Sequence, residues 1–227
     1  MKNNWQTKEI GAEFEKNRES KIQQWQSQIN EISIDVEDLL YSNYQAEELE
    51  KIIKANTFVK GNIGSFWEHY KLNLTYFLVS KIWHQIDENI NSLSLINLLK
   101  DLLCNHVFMT SDWWVDQCSH ISTQTFEESF GKESLDPSIV CQDIQELKEV
   151  TQKIKLIRHK RVAHTDTDRN LVSKISHSEI IKAVSQIEKL VIKYIFLLTP
   201  QDARNGLLPD PDDWKLAFTK EWITNEK

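Results

Sequence analysis

A chain of 227 residues with only five Gly and four Pro has few places to turn, and 40% hydrophobic against 27% charged residues suffices for a buried core. Few breakers and little alternation of apolar and polar residues point to helices. A formal net charge of -7 excludes broad, non-specific coating of a polyanion but permits a local phosphate site. The longest apolar runs, such as 194–198, are far too short to span a bilayer, and no signal-type run stands at the start. Three Cys suit a reducing compartment better than a disulfide framework. A cytoplasmic protein without membrane contact is expected.

From the start of the chain, Ile10, Phe14, Lys21, Trp25, Ile29, Ile32, Val36 and Leu39 follow helical spacing with gaps. They predict a long polar helix or helix pair, and residues 47–56 read as a separate short charged helix. Lys60-Gly61-Asn62-Ile63-Gly64 is an interior loop. Ser65 with Glu68 then has the form of a capping box. The helix that follows is apolar on nearly every side (Phe66, Trp67, Tyr70, Leu72, Leu74, Phe77, Leu78, Ile82, Trp83) and reads as the central buried helix. Ser94 starts another, through Leu102. Residues 110–134 read as irregular or broken into short turns.

Asp136-Pro137 is a helix entrance, with Asp as N-cap and Pro in the first turn. That helix can run to His164, about 40 Å at 1.5 Å per residue. Ser176 with Glu179 is a second capping box, followed by Ile180, Val184, Ile187, Val191, Tyr194, Ile195 and Leu198 at steps of three and four. Pro200 ends that helix. Asn205-Gly206 and Pro209 are turns, and Asp210-Pro211 opens a short helix whose Trp214, Phe218 and Trp222 suit docking on the body. Residues 1–60 thus form an N-terminal extension, 61–200 a helical bundle and 201–227 a docking segment, together one compact domain of the all-α class.

The densest basic patch lies late in the bundle. Lys153, Lys155, Arg158, Lys160 and Arg161 put five positive charges into nine residues of an acidic protein. Like charges crowded on one helix repel, and an anionic partner relieves them. Arg158, Arg161 and His164 step by three, on the side that carries Leu147, Val150, Ile154 and Ile157. An apolar stripe therefore runs into two arginines and a histidine. Guanidinium groups at a packing seam require anions or a wet cleft.

Arg158-His159, four further residues and His164, with Asp166 two residues on, resembles the signature of the HEPN superfamily: an Arg, four to six residues, then a His. The order Arg158, Arg161-Val162-Ala163-His164, Asp166 is most similar to the superfamily's abortive-infection branch. The aromatic-rich helix over residues 66–87, the segment Asn91-Ser92-Leu93-Ser94-Leu95 and the pair Leu98-Leu99 carry the same resemblance, which spans residues 65–198.

The resemblance implies an all-α HEPN-like bundle that dimerises and cleaves RNA without metal or other cofactor. In it a ribose 2′-hydroxyl attacks the adjacent phosphorus, His164 takes part in proton transfer, and Arg158 stabilises the phosphate's charge. His159, Arg161 and Asp166 are supporting or phosphate-binding candidates. The implied setting is a toxin or defence effector, with an antitoxin or defence-system protein as partner. Some relatives carry a Tyr two residues after the motif His that is adenylylated; Asp166 here offers no such site. A second reading is a non-catalytic interaction module, with Arg158 paired to a partner's carboxylates.

Two other constellations carry less. Cys104 with His106 and Cys118 with His120 could supply four zinc ligands, but residues two apart on a helix diverge, so buried thiols and surface histidines are expected instead. Trp113-Trp114 could stack on bases, though paired Trp in a bundle more often fill core.

Overall fold

The computed structural model describes residues 3–56, 64–117, 123–158, 175–199 and 206–207, with side chains from residue 13 onward. Of these residues 86% are helical and none forms a strand, so the class is all-α as expected. The order is α1 (Asn3–Ala55), α2 (Gly64–Ile86), α3 (Leu95–Cys104), a 3-10 turn (His106–Phe108), α4 (Ser111–Gln117), α5 (Thr123–Phe130), α6 (Pro137–Ile157) and α7 (His177–Leu198). No helix among the described residues is long and apolar enough to cross a membrane.

Helix α7 forms the centre. Ile180, Ala183, Val184, Ile187, Leu190, Val191, Tyr194, Ile195, Leu197 and Leu198 are all buried on it. It packs against α1, α6 and α2, and α3 fills the space beside α6. Its start is fixed by Ser176, whose hydroxyl accepts from the Glu179 N–H while the Glu179 carboxylate accepts from the Ser176 N–H, completing the expected capping box. Helix α6 starts as its sequence demands: the Asp136 carboxylate accepts from the Ser138 N–H at 2.8 Å, with Pro137 in the first turn. Ser94 likewise caps α3, and the Asn97 N–H donates to its hydroxyl.

Helix α1 is a single helix, not a pair with a separate short helix after it. Trp25, Ile29, Ile32, Val36 and Leu39 are fully buried at the expected spacing. No breaker follows, and Ala46 and Ile53 continue the buried face more sparsely, so nothing interrupts the hydrogen-bond ladder. The side of α1 facing α3 holds a polar clasp. The Trp25 indole N–H donates to Asp101 Oδ2 at 2.9 Å, and Lys21 pairs with the same carboxylate at 2.7 Å.

Three further expectations need correction. Helix α2 is not buried throughout: its burial begins at Leu78 and runs through Val79, Ile82, Trp83, Gln85 and Ile86. Before that, Phe66 is 66% exposed, and Leu72 and Phe77 are exposed too. Helix α2 already includes Gly64, so Ser65 stands inside it and is not its N-cap. The described residues within 110–134 are more regular than expected, for they hold α4 and α5. That excursion is pinned where it leaves and returns: Ser111 N–H donates to Glu133 O at 3.0 Å, and Leu135 N–H to Met109 O at 2.9 Å. Gly131 turns the chain there with φ +122°. A Cβ at that position would lie 2.7 Å from the Ser134 carbonyl oxygen.

Trp114, Phe126, Phe130 and Phe196 make one aromatic cluster under α4 and α5, with Trp114 5.3 Å from Phe196 and 5.5 Å from Phe126 between centroids. Trp114 is 1% exposed, and its indole N–H donates to the Phe196 carbonyl. Trp113 packs half-buried against the same core. The Trp pair is therefore core, as the blander expectation held.

Candidate functional site

The site is built on the end of α6. Leu147, Thr151, Ile154 and Ile157 are buried along one side of that helix, with Thr151 in the inward place that spacing assigned to Val150. Arg158 continues the helix by one residue, at φ -56° and ψ -48°. Its guanidinium carbon lies 4.7 Å from the centre of the Trp83 ring on α2. Trp83 is 9% exposed. A cation over an indole face is held by the ring quadrupole and leaves the N–H edges of the guanidinium free to donate. Among the described residues no carboxylate pairs with Arg158.

His159, Arg161, His164 and Asp166 lie outside the described residues, as does Lys160. Helix α6 is described to Ile157, and its expected continuation to His164 lies outside them as well. The structure therefore places one of the five expected site residues, Arg158, and gives it a setting.

The neighbouring lysines Lys153 and Lys155 find carboxylates within the chain itself. Lys153 pairs with Glu179 of the α7 capping box. Lys155 reaches Glu88 Oε1 at 3.5 Å, Lys148 reaches Glu88 Oε2 at 3.5 Å, and Lys100 from α3 hydrogen-bonds that same Oε2. Three ammonium groups from two helices thus converge on one carboxylate just past the end of α2. The hydrogen bond from Lys100, aided by the charges of Lys148 and Lys155, holds the Glu88 carboxyl down at about 2. The Lys153 ammonium and the Ser176 N–H do the same for Glu179, also to about 2. Beside Glu88 runs a groove of about 400 Å³ lined by Ile86, Lys148, Glu149, Gln152 and Lys155.

Trp83 and Glu88 were not legible as site residues. Trp83 counted only as one apolar residue among many on its helix. Glu88 is 67 residues from Lys155 in sequence, and no local spacing connects them.

A buried polar cluster lies between α6 and α7. Asp143 on α6 accepts from the Tyr194 hydroxyl at 2.7 Å and from Lys193 at 2.6 Å, both on α7. Burial, and then the charge of Asp143, push the Tyr194 hydroxyl far above its ordinary value. Tyr194 stays a protonated donor and ties α6 to α7.

The Cys/His constellation does not gather among the described residues. Cys104 is exposed, not a buried thiol, and so is Cys141. His106 is half-buried, with a buried Nδ1 that has no hydrogen-bond partner among the described residues. Cys118 and His120 lie outside the described residues. Within those residues no three His, Cys, Asp or Glu side chains are grouped to hold a metal.

No protein-family model, curated protein or solved structure matches the chain.

Proposed function

We propose that this protein is an endoribonuclease of HEPN type, a toxin or defence effector that cleaves RNA as a homodimer in the cytoplasm. The reaction needs no metal. A ribose 2′-hydroxyl attacks the neighbouring phosphorus, the bond to the 5′-oxygen breaks, and the products are a 2′,3′-cyclic phosphate and a free 5′-hydroxyl. His164 transfers a proton in that exchange, since an imidazole titrates near neutral pH. Arg158 stabilises the charge that grows on the phosphate oxygens. His159, Arg161 and Asp166 support the pair.

One observation carries the reading. The Arg of the motif ends an apolar helix seam with its guanidinium over Trp83 rather than against a described carboxylate. A cation so held is positioned, still charged and able to accept an anion. The test is incubation of purified protein with RNA in EDTA, followed by analysis of fragment ends. Cyclic phosphates that vanish in His164→Ala are expected. Undiminished cleavage in His164→Ala, or strict dependence on added metal, would falsify the reading.

A second reading, a non-catalytic interaction module in a defence or toxin–antitoxin system, is favoured by the exposed Phe66, Leu72 and Phe77 on the part of α2 that precedes Leu78. Exposed apolar side chains grouped on one helix suit a protein partner. Under that reading no variant of Arg158 or His164 changes RNA cleavage.

A further inference from the structure

Lysines usually pair one to one with carboxylates on a protein surface. Glu88 instead receives three, Lys100, Lys148 and Lys155. One negative charge cannot neutralise three ammonium groups, and among the described residues the local excess is two. Glu149 at the rim of the groove, itself hydrogen-bonded by Gln145, lowers that excess to one, and Arg158 restores it to two. In a chain of net charge -7 such an excess is out of keeping with the rest of the sequence. Each lysine keeps 39–49% of its side chain exposed, so all three can reach a ligand from solvent.

The placement is directional. Lys148, Lys155 and Arg158 follow one another along α6 over ten residues, about 15 Å at 1.5 Å per residue. Lys148 and Lys155 line one groove, and Arg158 stands one turn beyond Lys155. Resting on the ribonuclease reading, we propose that Lys100, Lys148 and Lys155 bind the backbone phosphates of the RNA next to the scissile one, with Glu88 holding the three ammonium groups together until a phosphate displaces it. A phosphodiester carries the same charge as that carboxylate and offers the same kind of acceptor oxygens. Single-stranded RNA is the ligand the row fits, because a line of point charges follows a backbone without reading bases.

Glu88 makes the proposal testable in two directions. The parent chain is the full-length His164→Ala variant, bound to a fluorescent single-stranded RNA and titrated with salt between about 50 and 200 mM. Lys148→Gln with Lys155→Gln should weaken binding and flatten the dependence of log K on log salt by about 1.4, at about 0.7 per phosphate contact on a single strand. Lys100→Gln alone should flatten it by about half as much. Glu88→Gln should tighten binding several-fold, because it removes the internal competitor. Thermal melts of each variant show that it is folded. An unchanged slope in the lysine variants, or a Glu88→Gln chain that is folded and binds no tighter, overturns the proposal, as does a parent that binds no RNA. If binding follows the lysines while the wild-type chain cleaves nothing, the phosphate site stands and the ribonuclease reading falls.

Discussion

Arg158 and Trp83 meet between α6 and α2, the guanidinium carbon 4.7 Å from the ring centre. The contact joins the last described turn of α6 to the buried half of α2. A half-buried contact of this kind contributes about 1 kcal/mol. Trp83→Phe should keep most of it and Trp83→Leu should lose it. A double-mutant cycle of Trp83→Leu with Arg158→Ala, read by urea unfolding, should show a coupling of about that size.

The same residue should be intolerant of lysine in catalysis. A guanidinium fork grips phosphate through two N–H groups, whereas an ammonium is a point charge. Arg158→Lys is expected to lose most ribonuclease activity, equivalent to about 2–4 kcal/mol of transition-state stabilisation. Arg161→Lys should retain more. Equal tolerance at both positions, in rates measured on one RNA, would move the motif's Arg away from Arg158.

A site shared between two subunits predicts a particular result in mixed dimers. Dimers with one wild-type chain and one His164→Ala chain, separated by different tags, should be nearly inactive. Independent sites would keep about half of the rate. A monomer at micromolar concentration by light scattering would end the shared-site idea without kinetics.

The buried Asp143 should matter more to stability than either of its partners. Tyr194→Phe removes one donor to a carboxylate and is expected to cost about 1.5–3 kcal/mol. Asp143→Ala leaves both the Tyr194 hydroxyl and Lys193 without their acceptor and should cost more. Chemical denaturation at neutral pH ranks the two directly, and a smaller loss for Asp143→Ala would refute the order.

Acid should loosen the fold through Glu88 and Glu179. Both carboxyls lie at about 2 in the folded chain against an ordinary value of 4.5. A depressed folded value means that the stabilisation is present above 4.5 and is lost as pH falls from there toward 2. Melting temperature should therefore decline through that window, and the decline should be shallower in Glu88→Gln with Glu179→Gln. High salt should flatten it as well, since these pairs are exposed.

What the sequence made legible follows from how local each signal is. The entrances of α6 and α7 were readable because Asp136-Pro137 and the Ser176–Glu179 pair act within four residues. The buried face of α1 from Trp25 to Leu39 was readable from its spacing. The unity of α1 was not, because its buried positions thin out after Leu40 while its backbone continues. The half-bare state of α2 was also hidden: spacing shows which residues are apolar, not whether another layer covers them. At the candidate site, Arg158 stood out by charge. Trp83 and Glu88 reach it only through the packing of α2 beside α6.

The length of α1 governs how the molecule moves through water. Its 53 residues give about 80 Å of helix, against about 32 Å for the 21 residues of α6. A compact body of this chain length would have a radius of gyration of about 17 Å. A helix of such reach raises the friction of the particle above that of a sphere of equal mass. Rotation about the long axis is then faster than end-over-end tumbling, and the pair distribution in small-angle scattering acquires a tail.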